Sequence, residues 1–492
     1  SEEPNLILLK DNNGDDRADE KIILLGGFDT HDTHHAISAY TSDASGAFYL
    51  SEGRFLHSQV ETPYGPRRCN DGGVWRFDPK SWRLERWSQA DYNNPWAVAF
   101  DEWEQGYISD ASSGDNFWAL PVSAKMPYGI EIPKVGQFAP KRARPTSGSE
   151  FVSSRHFPDD VQGHFMICNS IGFLGVSYHD VWEDGSGFDG KVVGDLLTST
   201  DPNFRPVDLE TAPDGSLYIV DWHNALVGHM QHSARDPNRD TAHGRIYRIT
   251  YPSRPLVKPP QVEGASIAKL LENLKEPEYR TRYRTRRELR EHPANKVIPA
   301  VKKWAAALDQ SDPNYERYLC EALWVTWAQN KVDADLLQQC FAARSHQARA
   351  AAANVVRHAW RNIPNSTALL LQAANDPHPR VRLEAIVAAS WLDNPTGARI
   401  ALEAVKQPFD RWMGPVFDLI MKQTLADDVQ ALDKAGTLAA IKQANPRAAD
   451  YLAGKLDLAK IAPTEENKPQ GPTRKLTETE QKVYDLGREI YS

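Results

Sequence analysis

GSLYIVDW, residues 215–222, joins a turn glycine to a short apolar strand that ends on polar residues. The same design occurs in GAFYLSEG (46–53), QGYISDA (105–111) and GHFMICNS (163–170). The centres of the four segments lie roughly 50 to 60 residues apart, which fits one four-stranded propeller blade per repeat. A further strand-like segment follows each copy: GGVWRFDP (72–79), NFWALPV (116–122), GFLGVSY (172–178) and GRIYRIT (244–250). Residues 1–252 are therefore expected to form a β-propeller with four nearly complete blades. A β-sandwich is the competing architecture, and regular spacing over four copies weighs against it.

Toward the N-terminus, NLILLKDNNGDDRADEKIILLGGF (5–28) reads as a hairpin, the outer half of one more blade. Four and a half blades leave a raw sheet edge, which soluble proteins avoid. The expectation is that residues upstream of Ser1, or another chain, complete the ring. In the other direction the composition changes. Trp, Gly, Asp and β-branched residues dominate to about Tyr251, and Ala, Leu, Arg and Gln dominate from about Ser266. Between them lies YPSRPLVKPPQVEG (251–264), whose prolines stiffen the chain as a linker, placed at 253–265.

DPHPRVRLEAIVAASWL (376–392) brings Val381, Leu383, Ile386 and Val387 toward one helix face, with Asp376 and Pro377 near its start. Similar segments are EPEYRTRYRTRRELREH (276–292), NYERYLCEALWVTWAQ (314–329) and SHQARAAAANVVRHAW (345–360). They recur roughly every 30 to 35 residues, so residues 266–460 are expected to stack as a HEAT-type α-solenoid. The arginines of these segments are expected to form ladders and solvated faces, with a phosphate or protein-docking groove as the sharper reading. A second proline-rich linker is expected over 461–475, and an amphipathic helix opening a further domain over 476–492.

Composition narrows the function. With 492 residues and 41% hydrophobic content the chain has ample material for more than one core. No apolar run approaches the roughly 18 residues of a membrane span. A net charge of -9 gives no general attraction to phosphate backbones, which argues against nucleic acid as a partner. Cys69, Cys168, Cys320 and Cys340 form no CxxC pair, so they encode neither a zinc site nor a covalent haem. Neither a nucleotide-binding glycine loop nor a serine-hydrolase elbow occurs, which removes the physical basis for phosphoryl or acyl transfer.

The acidic loop DNNGDDRAD (11–19) sets Asp11, Asn13, Asp15 and Asp19 where alternate oxygens can converge on a hard cation, and Ca2+ is the natural ion. Asp16 replaces the usual glycine of an EF-hand-like loop and Ile22 stands where its bidentate glutamate would be, so a solvated hairpin turn is the other reading.

FRPVDLETAPDGSLYIVDWHNALVGHMQHSARDPNRDTAHGRIYRITY (204–251) closely resembles the signature of a large family of secreted planctomycete and verrucomicrobial proteins. These are labelled membrane-bound dehydrogenases or PVC-type haem-binding proteins. DTHHAIS (32–38) and QVETPYGPRRCNDGGVWRFDP (59–79) resemble further segments of that family. The resemblance implies a periplasmic, secreted or cell-surface propeller related to sorbosone and soluble glucose dehydrogenases, then HEAT-like repeats, then a cytochrome c domain. DLGREIYS (485–492) is similar to a phrase that precedes a CxxCH haem motif in such proteins. Haem c is accordingly expected only in a part of the parent beyond Ser492. Trp96 departs from the pattern, because relatives often carry a histidine near that point, and this weakens the transfer of activity.

The resemblance also implies a catalytic base at His35, or else His34, taking a proton from a substrate hydroxyl while hydride passes to pyrroloquinoline quinone (PQQ). A neutral imidazole suits that proton transfer near pH 7. A metal site using two of His31, His34 and His35, or a structural cluster, are the alternatives. The quinone would need cations, for which Arg67, Arg68 and Arg205 are candidates. The loop 228–245 adds His229, His232 and Arg239; it either lines the central mouth or is held by Arg and Asp pairing without any ligand. The function expected overall is a dehydrogenase-like module that oxidises a sugar or alcohol and passes electrons to an attached c-type cytochrome. The alternatives are a non-catalytic scaffold binding a glycan at the propeller mouth or a protein on the solenoid, and a subunit of a larger complex.

Overall fold

The computed structural model describes residues 4–133, 136–227, 235–393 and 395–458. The linker and helix expected over 461–492 lie outside the described residues, as do His229 and His232.

The first half is a series of small antiparallel sheets, each built from consecutive strands. Asn5–Lys10 (β1) and Glu20–Gly26 (β2) form a hairpin. Ser38–Ser42 (β3), Phe48–Glu52 (β4), Gly73–Asp78 (β7) and Arg83–Ser88 (β8) make a four-stranded sheet. A short pair, Gln59–Val60 (β5) and Arg67–Arg68 (β6), interrupts it as an excursion. Pro95–Phe100 (β9), Gly106–Asp110 (β10) and Asn116–Trp118 (β11) make a three-stranded sheet. Thr146–Phe151 (β12), Phe165–Asn169 (β13), Gly175–Asp184 (β14) and Gly187–Thr198 (β15) make the next, of four strands. Pro206–Thr211 (β16), Leu217–Asp221 (β17) and Arg245–Ile249 (β18) make the last. The opening strands β3, β9, β12 and β16 run beside one another in turn.

The four repeated segments of the sequence are β4, β10, β13 and β17, the second strand of each sheet. β7, β10 and β13 are buried along their whole length, because neighbouring structure covers both of their faces. Their polar ends have a specific use. Asp110 Oδ2 accepts hydrogen bonds from the backbone amides of Asn93 (2.6 Å) and Asn94 (3.1 Å). Asp221 Oδ1 does the same for Arg205 (2.7 Å) and His223 (2.8 Å). β10 and β17 thus each end on a side chain that satisfies amides of an adjoining loop which no ladder reaches. One expected strand is cut short: NFWALPV leaves the sheet after Trp118, and Ala119–Val122 (α1) is a buried helical turn.

From Ile267 the chain is helical. Ile267–Asn273 (α2), Tyr279–Glu291 (α3), Ala294–Ala306 (α4), Tyr315–Ala328 (α5), Ala334–Phe341 (α6) and His346–Ala359 (α7) come first. Ser366–Ala374 (α8), Pro379–Ser390 (α9), Thr396–Ala404 (α10) and Met413–Gln423 (α11) follow. Ala426–Lys434 (α12), Thr437–Ala444 (α13) and Pro446–Leu452 (α14) complete the described helices. Side-chain caps fix several starts, with Ser266, Asp333, Ser345 and Asn445 accepting from amides in their first turns. No described helix is long and apolar enough to cross a membrane.

The helices do not stand clear of the sheets. One continuous apolar core takes Tyr49, Trp87, Trp118 and Phe188 from the sheets and Leu270, Trp324, Ile386 and Trp412 from the helices. Trp118 and Trp412 meet edge to face, with centroids 5.6 Å apart. Two expectations change as a result. α9 is buried from Arg380 to Ser390, all round and not along one face. Six arginines of the repeats, Arg282, Arg286, Arg290, Arg357, Arg380 and Arg382, are buried and not solvated, while Arg287 stays exposed.

The reason is that the sheets present carboxylates and free carbonyls to this surface, and a guanidinium has five donors with which to meet them. Arg286 Nη2 donates to Glu104 (2.6 Å) while Nη1 donates to Glu321 (3.0 Å). Arg290 reaches Asp78 and the carbonyl of Gly46, both at 2.8 Å. Gly46 is in the left-handed region at φ 75°, and a Cβ there would lie 2.7 Å from Arg290 Cδ, so both the turn and the docking require glycine. Arg357 and the Trp391 indole donate to Ser123 O at 2.5 and 2.9 Å. At these positions the helices are covered by the chain's own sheets.

Candidate functional site

Three loops converge at one end of the sheet β3, β4, β7 and β8. They are residues 27–37 ahead of β3, 53–58 after β4, and 69–72 ahead of β7. Between them is an open cleft of about 800 Å³ lined by Asp29, His31, Asp32, Thr33, His34, Phe55, His57 and Asp71.

Hydrogen bonds between the loops shape this cleft. Asp29 Oδ1 accepts from the amides of Thr30 (2.7 Å) and His31 (3.1 Å), and Oδ2 accepts from the amide of His57 (2.7 Å). Partial burial pushes the Asp29 carboxyl up, but these amides, His57 first, outweigh it and hold it below the usual range. Asp71 Oδ1 accepts from the amide of Phe55 at 2.8 Å. Phe55 and Asp71 both have left-handed backbones, at φ 74° and 63°, which is strained for residues with side chains. Phe55 is 52% exposed and lines the cleft. His57 Nδ1 donates to Asn70 Oδ1 at 2.5 Å, which ties the loop after β4 to the loop ahead of β7.

The two histidines expected as a base part company. His34 lines the cleft, with Nδ1 3.4 Å from Asp32 Oδ1, which also accepts from the His34 amide at 3.0 Å. His35 does not line it. It is buried, donates from Nδ1 to the carbonyl of Arg54 at 2.7 Å, and stacks on Phe55 at 5.9 Å. Gly53 makes room for it, since a Cβ at that position would lie 2.7 Å from His35 Cγ. His35 therefore supports the platform while His31, His34 and His57 face the space. Beneath them Glu52 is buried at the end of β4 and accepts from Ser58 Oγ at 2.7 Å; burial pushes its carboxyl up.

The candidate cations lie elsewhere. Arg67 donates to the carbonyls of Gly65 and Pro66 in its own turn, and Arg68 lies 6.0 Å from the Tyr128 ring. Arg205 donates to three carbonyls, those of Ser170, Asn224 and Ala225, so its donors are committed to the backbone. Arg239 reaches Leu226 O at 3.3 Å. The Asp11–Asp19 loop is the exposed turn between β1 and β2. Asp11 accepts from the amides of Gly14 and Asp16 at 2.7 and 2.8 Å, and Asn13 bonds Asp15 and Asp19.

The model of the family described as domain of unknown function (DUF7133) matches residues 1–125 and 119–253. The chain belongs to the DUF7133 family. The DUF7133 match spans every sheet described above and all the residues of the cleft. No curated protein matches the chain. Two solved structures named as glucose dehydrogenase are similar to it at 15% identity, with TM-scores of 0.30 and 0.28. Each alignment covers 44% of this chain and 69% of the other.

His31 and His34 of this DUF7133 site were legible because HDTHH concentrates histidines in one stretch. Phe55, His57 and Asp71 were not, since they come from separate loops and no period links them. A fit to PQQ can be tested on the lining. PQQ carries three carboxylates, and the lining holds three aspartates and no Arg or Lys. Those residues do not fit the anion, and no chemical step is routed through it.

Proposed function

We propose that the cleft is a binding site for a sugar or related polyol, in a propeller-type module of a periplasmic or secreted protein. The convergence of three aspartates, three histidines and the exposed ring of Phe55 on one space carries this reading. Vicinal hydroxyls donate to carboxylates and accept from imidazoles, while the C–H face of a sugar packs on an aromatic ring. In support of the propeller, four sheets meander in sequence and their first strands adjoin. The organisation proposed is residues 1–252 as propeller, 253–265 as linker and 266–460 as HEAT-like arm.

Calorimetric titration with neutral hexoses is expected to show saturable binding, and Phe55→Ala is expected to weaken it about tenfold, the loss of about 1.4 kcal/mol of ring contact. Absence of binding to any neutral sugar or polyol by the folded chain defeats the proposal.

The His34 and Asp32 pair favours a second reading, oxidation of the bound alcohol. His34 Nε2 would take the hydroxyl proton while the carbinol hydride passes to a two-electron acceptor, the soluble dye of the assay, that enters the cleft against that carbon. Dye-linked oxidation of the sugars that bind, assayed without added PQQ, tests it. His34→Ala is expected to abolish turnover while leaving sugar binding within a few fold, and no turnover under any condition leaves the binding scaffold alone. Electron transfer to an attached c-type cytochrome is part of this second reading.

A further inference from the structure

Resting on the sugar-binding reading above, we infer that the sugar taken by the cleft is a cationic one, an amino-hexose whose free ammonium group meets Asp71 while its ring covers Phe55. Of the eight residues lining the cleft, three are aspartates and none is Lys or Arg, so the acidic charge is not balanced within the lining. Arg54, one residue before Phe55, is turned away to Asp91 at 2.5 Å. Arg67 is spent on carbonyls of its own turn.

The three aspartates are not equivalent. Both oxygens of Asp29 already accept from amides, those of Thr30, His31 and His57, and Asp32 faces His34 and His35. Asp71 uses Oδ1 to accept from the Phe55 amide at 2.8 Å, and among the described residues nothing donates to its Oδ2 and no Lys or Arg pairs with it. The hydrogen bond also fixes this carboxylate beside the exposed ring. Its charge reaches the neighbourhood: burial pushes the Glu131 carboxyl up, and Asp71 and Asp91 add to the rise against Arg54. A sugar hydroxyl offers Asp71 one proton, whereas an ammonium offers three together with a full charge. The face of an aromatic ring attracts a cation too, and the C–H face of the same hexose packs on it, so one molecule meets both demands. N-acetylation of the amine removes the charge, and an acidic sugar is repelled by all three aspartates.

The test is calorimetric titration of the full chain with glucosamine, N-acetylglucosamine and glucose at pH 6.5 and low ionic strength. Glucosamine is expected to bind about tenfold tighter than glucose and N-acetylglucosamine no tighter than glucose, with the advantage of glucosamine shrinking as NaCl is raised. Asp71→Asn is expected to erase the preference, weakening glucosamine about tenfold more than glucose. Asn tolerates the left-handed backbone at φ 63° and still offers an acceptor to the Phe55 amide, so the loop keeps its shape. Asp160→Asn, which removes an exposed charge outside the cleft, is expected to keep the tenfold preference. Equal affinities for glucosamine and glucose, or a preference that survives Asp71→Asn, overturns the inference and leaves the sugar site standing. No binding of any of the three sugars removes the site itself, and the inference with it.

Discussion

Arg286→Ala is expected to lower the unfolding free energy by about 3–5 kcal/mol, the largest effect of any single change at the boundary between sheets and helices. Arg286 is buried between two carboxylates, Glu104 of the sheets and Glu321 of α5, and its guanidinium lies 5.4 Å from the Tyr279 ring and 5.5 Å from Trp324. Removing it leaves two buried carboxylates facing each other across a cavity. The Glu104 carboxyl, which burial already pushes up to about 7 despite Arg286, would then take up a proton at neutral pH. Replacing Arg286 together with one partner, as Glu104→Gln with Arg286→Met, is expected to be milder than Arg286→Ala alone, because Glu321 keeps its pair with Arg282 at 2.9 Å and Glu104 no longer carries a charge. Urea unfolding at pH 7 measures both, and protease cleavage within 253–265 reports whether the arm has come away. A loss below about 1 kcal/mol for Arg286→Ala would show that the seam is not what holds the halves together.

Glu384→Gln is expected to gain stability over the wild type as pH rises, by about 3 kcal/mol between pH 4.5 and 8. Glu384 is 1% exposed in α9 and accepts from Gln105 Nε2 at 3.1 Å. Burial pushes its carboxyl from 4.5 up to about 7, with Arg357 and Gln105 offsetting part of the rise. The sign follows from proton counting. Between pH 4.5 and 7 the folded protein holds a proton here that the unfolded chain has lost, so wild-type stability falls as pH rises through that window. Above 7 the full penalty of a buried anion is present. Glutamine keeps the shape and the bond to Gln105 and does not titrate, so the difference between the two proteins isolates this group from the other buried acids and histidines. Urea midpoints for both at pH 5 and pH 8 measure it; a pH-independent difference would mean that Glu384 titrates normally.

The sheets were legible because each repeat obeys two local rules at once, a turn glycine before the strand and a hydrogen-bonding side chain after it. Asp110 and Asp221 occupy that second position, and their capping of loop amides explains why the pattern recurs. Trp118 obeys the apolar pattern equally well whether the next residue continues a strand or turns into α1, so periodicity could not place that break. The arginines misled for a related reason. YRTRYRTRRELR has the composition of a solvated helix, and only the placement of Glu104, Glu150 and Asp78 opposite it makes burial tolerable. Such long-range pairings leave no trace in local pattern. Glu183 and His346 are 163 residues apart and belong to different kinds of element, yet they lie 3.0 Å from each other.

The buried arginine seam also sets a timetable for synthesis. Glu104 precedes Arg286 by 182 residues, and ribosomes add roughly 5–20 residues per second, so its carboxylate waits about 10 to 40 seconds for its partner. During that interval the sheets carry an uncovered face of apolar surface and unpaired acids. The arm thus acts toward the sheets as a chaperone encoded on the same message, and slow codons between Ile249 and Tyr279 would lengthen the exposure to aggregation.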